Sequence, residues 1–250
     1  MRRLWIADVH ANLPAFEAVL RDAGSCDEVL FLGDIVGCGP HPSECINLLE
    51  GLRPSAVLGN HDAAVLSAGE SSRGGSDQIV WDEWSFDRLE GSQQSLLEGL
   101  PKQLAIRSCG REATVLHNPA GAVYLHPAMP DPVLVGHLES VSGHLVIFGH
   151  SHRPIDRTIC DRRFICVPPV GQPRNGDPRA GYAIECDGHL TFHFVAYDVE
   201  RTVADVRAIG LEYSYTQRWI RFLRTGFDAE WSREYRPVES KLGDASRTQR

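Results

Sequence analysis

No apolar run in this 250-residue chain approaches the ~18 residues that a membrane-crossing helix needs, so no membrane partner is expected. The opening stretch MRRLWIADVH has only Leu4 to Ala7 before Asp8 interrupts it, too short for the apolar region of a secretory signal. Cysteines number seven, an odd count, and no two stand as C-x-x-C. That excludes a disulfide framework and a zinc finger, and reduced thiols in the cytoplasm are the simplest reading. Basic residues are in deficit, 25 Lys and Arg against 33 Asp and Glu, and the net charge is -8. Stable nonspecific binding to nucleic acid is not expected of such a chain, although a nucleotide held through bound cations fits it. Internal repeats and low-complexity tracts are also missing.

What is present suits one α/β domain with a full core. Residues 1–235 are read as that domain, with 201–235 as a C-terminal helical extension and 236–250 as a polar, frayed tail. Five short apolar runs read as strands buried on both faces: 4–7, 29–33, 56–59, 114–116 and 145–149. Helical patterns lie between them. Residues 13–24 carry Phe16, Val19 and Leu20 at helical spacing and end at Gly24; residues 41–52 have Ser43 available as an N-cap; residues 77–100 read as one or two helices. A flexible loop is expected over 67–76. After about residue 155 the pattern changes to hairpins, and two terminal helices follow, over 201–210 and 213–226.

The polar residues at the ends of those strands carry the functional argument. Asp8 with His10, Asp34, Asn60 with His61, His117, and His150 with His152 each follow a predicted strand. Alone, each reads as a cap, a turn former or a solvated loop residue. Sharing one end of five strands, where open α/β sheets form their sites, they read as one constellation. The donors are carboxylate, amide and imidazole, with no cysteine among them, which suits zinc, iron, nickel or manganese better than calcium. They outnumber what one tetrahedral ion needs, and two ions ~3.5–4 Å apart with a bridging carboxylate would use them all.

The pieces Asp8-Val9-His10, Gly33-Asp34, Gly59-Asn60-His61-Asp62, His117 and Gly149-His150-Ser151-His152, in this order, resemble the calcineurin-like metallophosphoesterase superfamily, and in particular its small bacterial and archaeal phosphodiesterase-like members. The resemblance implies a four-layer α/β/β/α sandwich with mixed sheets. It implies two divalent transition-metal ions, manganese foremost for activity. Asp8, His10 and His152 would bind one; Asn60, His117 and His150 the other; Asp34 would bridge them together with a hydroxide. That hydroxide would attack phosphorus in line. His61 would stabilise charge or protonate the leaving oxygen, and Asp62 would orient the His61 imidazole. The implied substrate is a small phosphodiester or nucleotide. The alternatives are a phosphomonoesterase of the protein Ser/Thr phosphatase kind, a dinucleoside polyphosphate hydrolase, or an inactive scaffold with the same fold.

The chain departs from the family pattern in three places: Cys38 stands where tyrosine is usual, Asn118 where glycine follows the histidine, and Val167-Pro168-Pro169 where Asn-Pro-Gly is usual. Arg153 and Arg174 are candidate phosphate ligands. His126, His137 and His144 are assigned to loop or surface, His41 to the start of a helix, Trp81, Trp84 and Phe86 to the core, and Cys38 to filling space beside the site.

Overall fold

A computed structural model describes residues 1–69, 77–121, 123–211 and 214–227. Of the loop expected over 67–76, Ser67 and Ala68 are helical and residues 70–76 lie outside the described residues, as do the end of the expected helical extension at 228–235 and the tail at 236–250.

The chain opens with β1 (Arg2–Ile6), α1 (Leu13–Ala23), β2 (Glu28–Phe31), α2 (Pro42–Leu52), β3 (Ser55–Ala56) and α3 (Asn60–Ala68). There follow α4 (Asp77–Phe86), α5 (Gly91–Glu98), β4 (Gln103–Ser108), β5 (Arg111–Leu116), α6 (Asp131–His137) and β6 (Leu145–Phe148). The hairpin β7 (Ile155–Ile159) and β8 (Arg162–Cys166), the hairpin β9 (Ala180–Cys186) and β10 (His189–Val195), and the helices α7 (Val199–Ala208) and α8 (Ser214–Thr225) complete it.

The described strands form two five-stranded sheets, ordered β10-β9-β1-β2-β3 and β4-β5-β6-β8-β7. In the first, β1, β2 and β3 run parallel and β9 is antiparallel to β1 and β10; in the second, β5, β6 and β8 run parallel and β4 and β7 are antiparallel edges. Strand alternation then builds four layers. Leu4 and Ile6 of β1 face outward onto Phe16 and Val19 of α1 and Ile46 and Leu49 of α2. Trp5 of the same strand faces inward, where it joins Leu30 and Leu32 against Val115, Leu145 and Ile147 of the second sheet. Val146 and Phe148 of β6 face the opposite way and pack with Leu134 of α6. This is the α/β/β/α sandwich with mixed sheets. Both terminal helices are present and pack with α4 through Trp81, Val203, Val206, Trp219 and Leu223.

Several local expectations change. The run at 56–59 is a strand only at Ser55–Ala56, and the pattern at 77–100 is two helices, α4 and α5. Helix α2 starts at Pro42 with His41 in the cap position, where His41 pairs with Asp205 at 3.2 Å; Ser43 does not cap it, and its hydroxyl instead accepts from Gln93 at 2.8 Å. His126 lies in a loop but is buried, its Nδ1 accepting from the Ala128 amide; His137 ends α6, and His144 is exposed. Strand β4, on the edge of the second sheet, was not anticipated.

Candidate metal centre

The parallel strands of both sheets deliver their carboxyl ends to one place. Asp8 and His10 follow β1, Asp34 follows β2, Asn60 and His61 open α3 just after β3, His117 follows β5, and His150 and His152 follow β6. The turns that carry them are tight. Asp8, His10, Asp34, His150 and His152 all have positive φ, between 48° and 63°. Non-glycine residues rarely adopt this backbone, and it persists only where surrounding bonds hold it. The holding bonds run between turns: Asp8 N–H to the Gly33 carbonyl (3.0 Å), His10 N–H to the Asp34 carbonyl (3.0 Å), and His150 N–H to Asp8 Oδ1 (3.1 Å). Gly59 is required by closeness, because a Cβ there would overlap the backbone nitrogen and Oδ1 of Asp34.

Two groups of donor atoms meet at Asp34. In the first, His10 Nε2 is 3.2 Å from His152 Nε2 and 3.8 Å from Asp34 Oδ2, and His152 Nε2 is 3.4 Å from Asp8 Oδ1. The candidate ligand atoms of Asp8, His10, Asp34 and His152 all lie within 4.8 Å of one another, and all four residues are buried. In the second, Asn60 Oδ1 is 3.0 Å from His117 Nε2 and 2.8 Å from His150 Nδ1, and His117 Nε2 is 3.1 Å from Asp34 Oδ2.

The outer nitrogens settle the ring orientations. His152 Nδ1 donates to the Gln172 carbonyl (2.5 Å) and His117 Nδ1 to the Leu32 carbonyl (2.6 Å), since a carbonyl can only accept. Both rings therefore turn Nε2 toward the centre, the arrangement by which outer partners orient metal-ligating histidines. Burial first, then Arg174 and His10, hold His152 well below the usual imidazole range, so its Nε2 carries a lone pair. Burial and then His61 do the same to His10. Without an ion, a neutral His10 can donate its Nε2–H to the His152 lone pair; with the proton on Nδ1 instead, both Nε2 lone pairs face one ion, and nitrogens each ~2.1 Å from it would be separated by about the observed 3.2 Å. Asp8 Oδ2 is buried with no hydrogen-bond partner among the described residues. Burial raises the Asp8 carboxyl to about 7 against the pull of His117. Burial opposes the charge on Asp34 as well, but attraction to His117 and His61 outweighs it and holds that carboxyl well below its usual range. These donors fit divalent ions.

His61 stands at the rim, half-buried beside exposed Asn60. Its ring meets His10 edge-on at 4.9 Å, and its backbone N–H donates to Asp34 Oδ1 at 2.8 Å. Burial lowers its pKa, and Arg174 and His117 add to the effect against Asp34. Asp62 does not have the expected role. Its two carboxylate oxygens accept from the backbone N–H groups of Asp34, Ile35, Val36 and Gly59 at 2.8–3.1 Å. Those bonds organise the turn that presents Asp34 and leave the His61 ring to other neighbours.

The two arginines are buried behind the rim. Arg174 lies 4.6 Å from the centroid of Tyr124, and Tyr124 stacks on His150 at 4.6 Å. Arg153 Nε donates to the Arg174 carbonyl at 3.0 Å, so it supports the Arg174 backbone. Tyr124 and the carbonyls of Leu32 and Gln172 were missed in the sequence. Only Gln172 had a signal there, the retained GQPR segment, where Gly171 passes so close to the Val9 carbonyl that no side chain fits. Asn118 closes a local turn, bonding Gly121 and Ala120 (2.5 and 3.2 Å), and Pro168 and Pro169 pack buried beside Gly181 of β9.

Residues 1–188 match the family model of the calcineurin-like phosphoesterase superfamily domain. The chain is similar to a metallophosphoesterase of known structure from Sphaerobacter thermophilus, at 34% identity and a TM-score of 0.73 over 90% of this chain and 99% of that one. It is also 30% identical over 224 residues to an uncharacterized protein of Methanocaldococcus jannaschii, covering 78% of this chain and 88% of the relative. A Pyrococcus horikoshii structure, the hypothetical protein PH1004, shares the fold at 19% identity with a TM-score of 0.76 over 91% of this chain and 99% of that one. The strand-end donors, the four layers and these matches agree: this chain belongs to the calcineurin-like phosphoesterase superfamily, a family of metal-dependent phosphoester hydrolases.

Proposed function

We propose that the protein hydrolyses a small phosphodiester or nucleotide at a two-ion centre. Asp8, His10 and His152 would hold one ion, Asn60, His117 and His150 the other, and Asp34 would lie between them. The observation that carries this reading is the position of Asp34 Oδ2, 3.8 Å from His10 Nε2 on one side and 3.1 Å from His117 Nε2 on the other. Divalent transition ions there, manganese foremost and iron, zinc or nickel as the others the donors suit, acidify water and neutralise phosphate oxygens.

The chain's own residues do the rest. Exposed Asn60 and half-buried His61 mark the side from which a phosphoester approaches. His61 donates a ring N–H to a phosphoryl or leaving oxygen, and burial keeps it neutral for that task. Arg174 supplies a fixed positive charge behind Tyr124 that favours an anionic substrate. The seven cysteines form no disulfide among the described residues, which is consistent with a cytoplasmic setting, and among the described residues no helix is long and apolar enough to cross a membrane.

The direct test is turnover of bis-nitrophenyl phosphate with added Mn²⁺. Asp34→Asn should abolish it, and His61→Ala should lower kcat by about 10²–10³, the usual cost of one transition-state donor. Failure of a metal-loaded sample to hydrolyse any phosphomonoester, diester, cyclic nucleotide or dinucleoside polyphosphate overturns the reading.

A further inference from the structure

We propose that Cys38 and His61 form a third, inhibitory ion position for a thiophilic divalent cation such as zinc, separate from the pair of ions assigned above. Cys38 is fully buried, has φ 71°, and directs its Sγ to within 3.9 Å of His61 Nδ1. Zinc takes thiolate sulfur at about 2.3 Å and imidazole nitrogen at about 2.1 Å, and tetrahedral angles then set those two atoms about 3.6 Å apart. The observed separation needs an adjustment of a few tenths of an ångström. Gly37, with φ 80°, makes the approach possible, since a Cβ there would lie 3.0 Å from His61 Cβ and 3.1 Å from its Nδ1.

His10 is the third member. One of its ring nitrogens lies within 4.8 Å of the ligand atoms of Cys38 and His61. Its Nε2 belongs to the group around Asp34 and His152, and its Nδ1 is buried with no partner among the described residues, so that nitrogen can take a second ion once its proton is released. The donor set is softer than that of the Asp34 centre, because it includes a thiol and no carboxylate, so it selects zinc over manganese. Binding releases two protons to solvent, one from the Cys38 thiol and one from His10 Nδ1, and the thiolate, the His61 Nδ1 lone pair and the resulting His10 imidazolate make the three bonds. The effect on rate rests on the reading of His61 given under Proposed function: an ion on Nδ1 pins the ring and withdraws it from the substrate. The binding itself does not depend on that reading.

The test uses the manganese-loaded full chain, its Cys38→Ser variant, and Cys38→Ala as a second substitution should serine disturb the buried turn. Cadmium is the spectroscopic probe, read by thiolate-to-metal charge-transfer absorbance and by elemental analysis. Cys160 and Cys186 are exposed and also take cadmium, so the wild-type-minus-variant difference carries the result. The wild type should bind one more cadmium than either variant, with a charge-transfer band that both variants lack. Zinc should inhibit the wild type, and its midpoint should rise by about tenfold or more in the variants while manganese-supported turnover stays unchanged. Equal cadmium spectra, equal zinc midpoints, or cadmium that merely displaces manganese in all three proteins overturns the proposal. If the manganese-loaded protein turns over no phosphoester, the proposed function fails and the cadmium difference still decides this site.

Discussion

His117 Nε2 lies between Asp34 Oδ2 and Asn60 Oδ1, 3.1 and 3.0 Å away, so without ions a proton there is shared with both oxygens. Burial opposes that proton, but the charge of Asp34 and its hydrogen bond prevail and push His117 up to about 9. Because the folded value is raised, the stabilisation is complete below the ordinary pKa near 6.5 and is lost as pH rises through about 9. An ion must displace that proton. Manganese affinity of the ion-free protein at the Asn60, His117 and His150 position should therefore rise about tenfold per pH unit between 7 and 9 and then level off. Calorimetry in buffers of different ionisation enthalpy should detect about one proton released at pH 8 for the ion at that position; no release would contradict the assignment. The paired histidines of the β6 turn should separate the ions. His152→Ala should lose the ion shared with Asp8 and His10, and His150→Ala the one shared with Asn60 and His117, as read by metal content; equal loss of both in each variant counts against the split. Side-chain type is what made these residues legible, since carboxylates and imidazoles at strand ends announce themselves. Asp62 misled because adjacency to His61 says nothing about which way its carboxylate turns at the start of a helix. Tyr124 gave no sign, because a stacking partner is a fact of three dimensions.

At the start of α3, the Asp62 carboxylate bonds four backbone N–H groups, three of them in the turn after β2. Asp62→Asn keeps the shape but turns an amide N–H₂ toward those donors. It should destabilise the protein by about 1–3 kcal/mol in urea unfolding and lower metal affinity along with stability. If Asp62 instead tuned the His61 ring, the variant would shift the pH–rate profile and leave stability alone. The β strands were read unevenly for a simple reason. Every residue of β6 is buried, and its continuous apolar run stood out. Strand β4, Gln103–Ser108, lies at a sheet edge with exposed and half-buried residues alternating, so it presents no continuous apolar run to mark it. β3 is short because the chain turns away from β2 after Val57, whose N–H still bonds the Phe31 carbonyl (3.0 Å); the Leu58 N–H donates to the Pro101 carbonyl (2.9 Å), and Gly59 comes against Asp34.

Across the sandwich, each proposed ion draws on both sheets. Asp8 and His10 come from the first and His152 from the second; Asn60 comes from the first and His117 and His150 from the second. Ions that bind only the docked sandwich stabilise it by mass action, about 2.7 kcal/mol per site at a hundred times the dissociation constant. Chelation should therefore lower the thermal midpoint, and returning manganese should restore it in a concentration-dependent way. A midpoint indifferent to chelator, in a sample shown by elemental analysis to have lost its ions, would mean that the centre forms without linking the sheets.

The same division has a consequence for synthesis. Asp8, His10, Asp34 and Asn60 leave the ribosome well before His117, His150 and His152. A nascent chain arrested short of His117 thus carries a fraction of each ligand set and can complete neither. Ion capture becomes a late event, available only after His117, His150 and His152 have been made, and a chain terminated before His150 cannot complete either proposed ligand set.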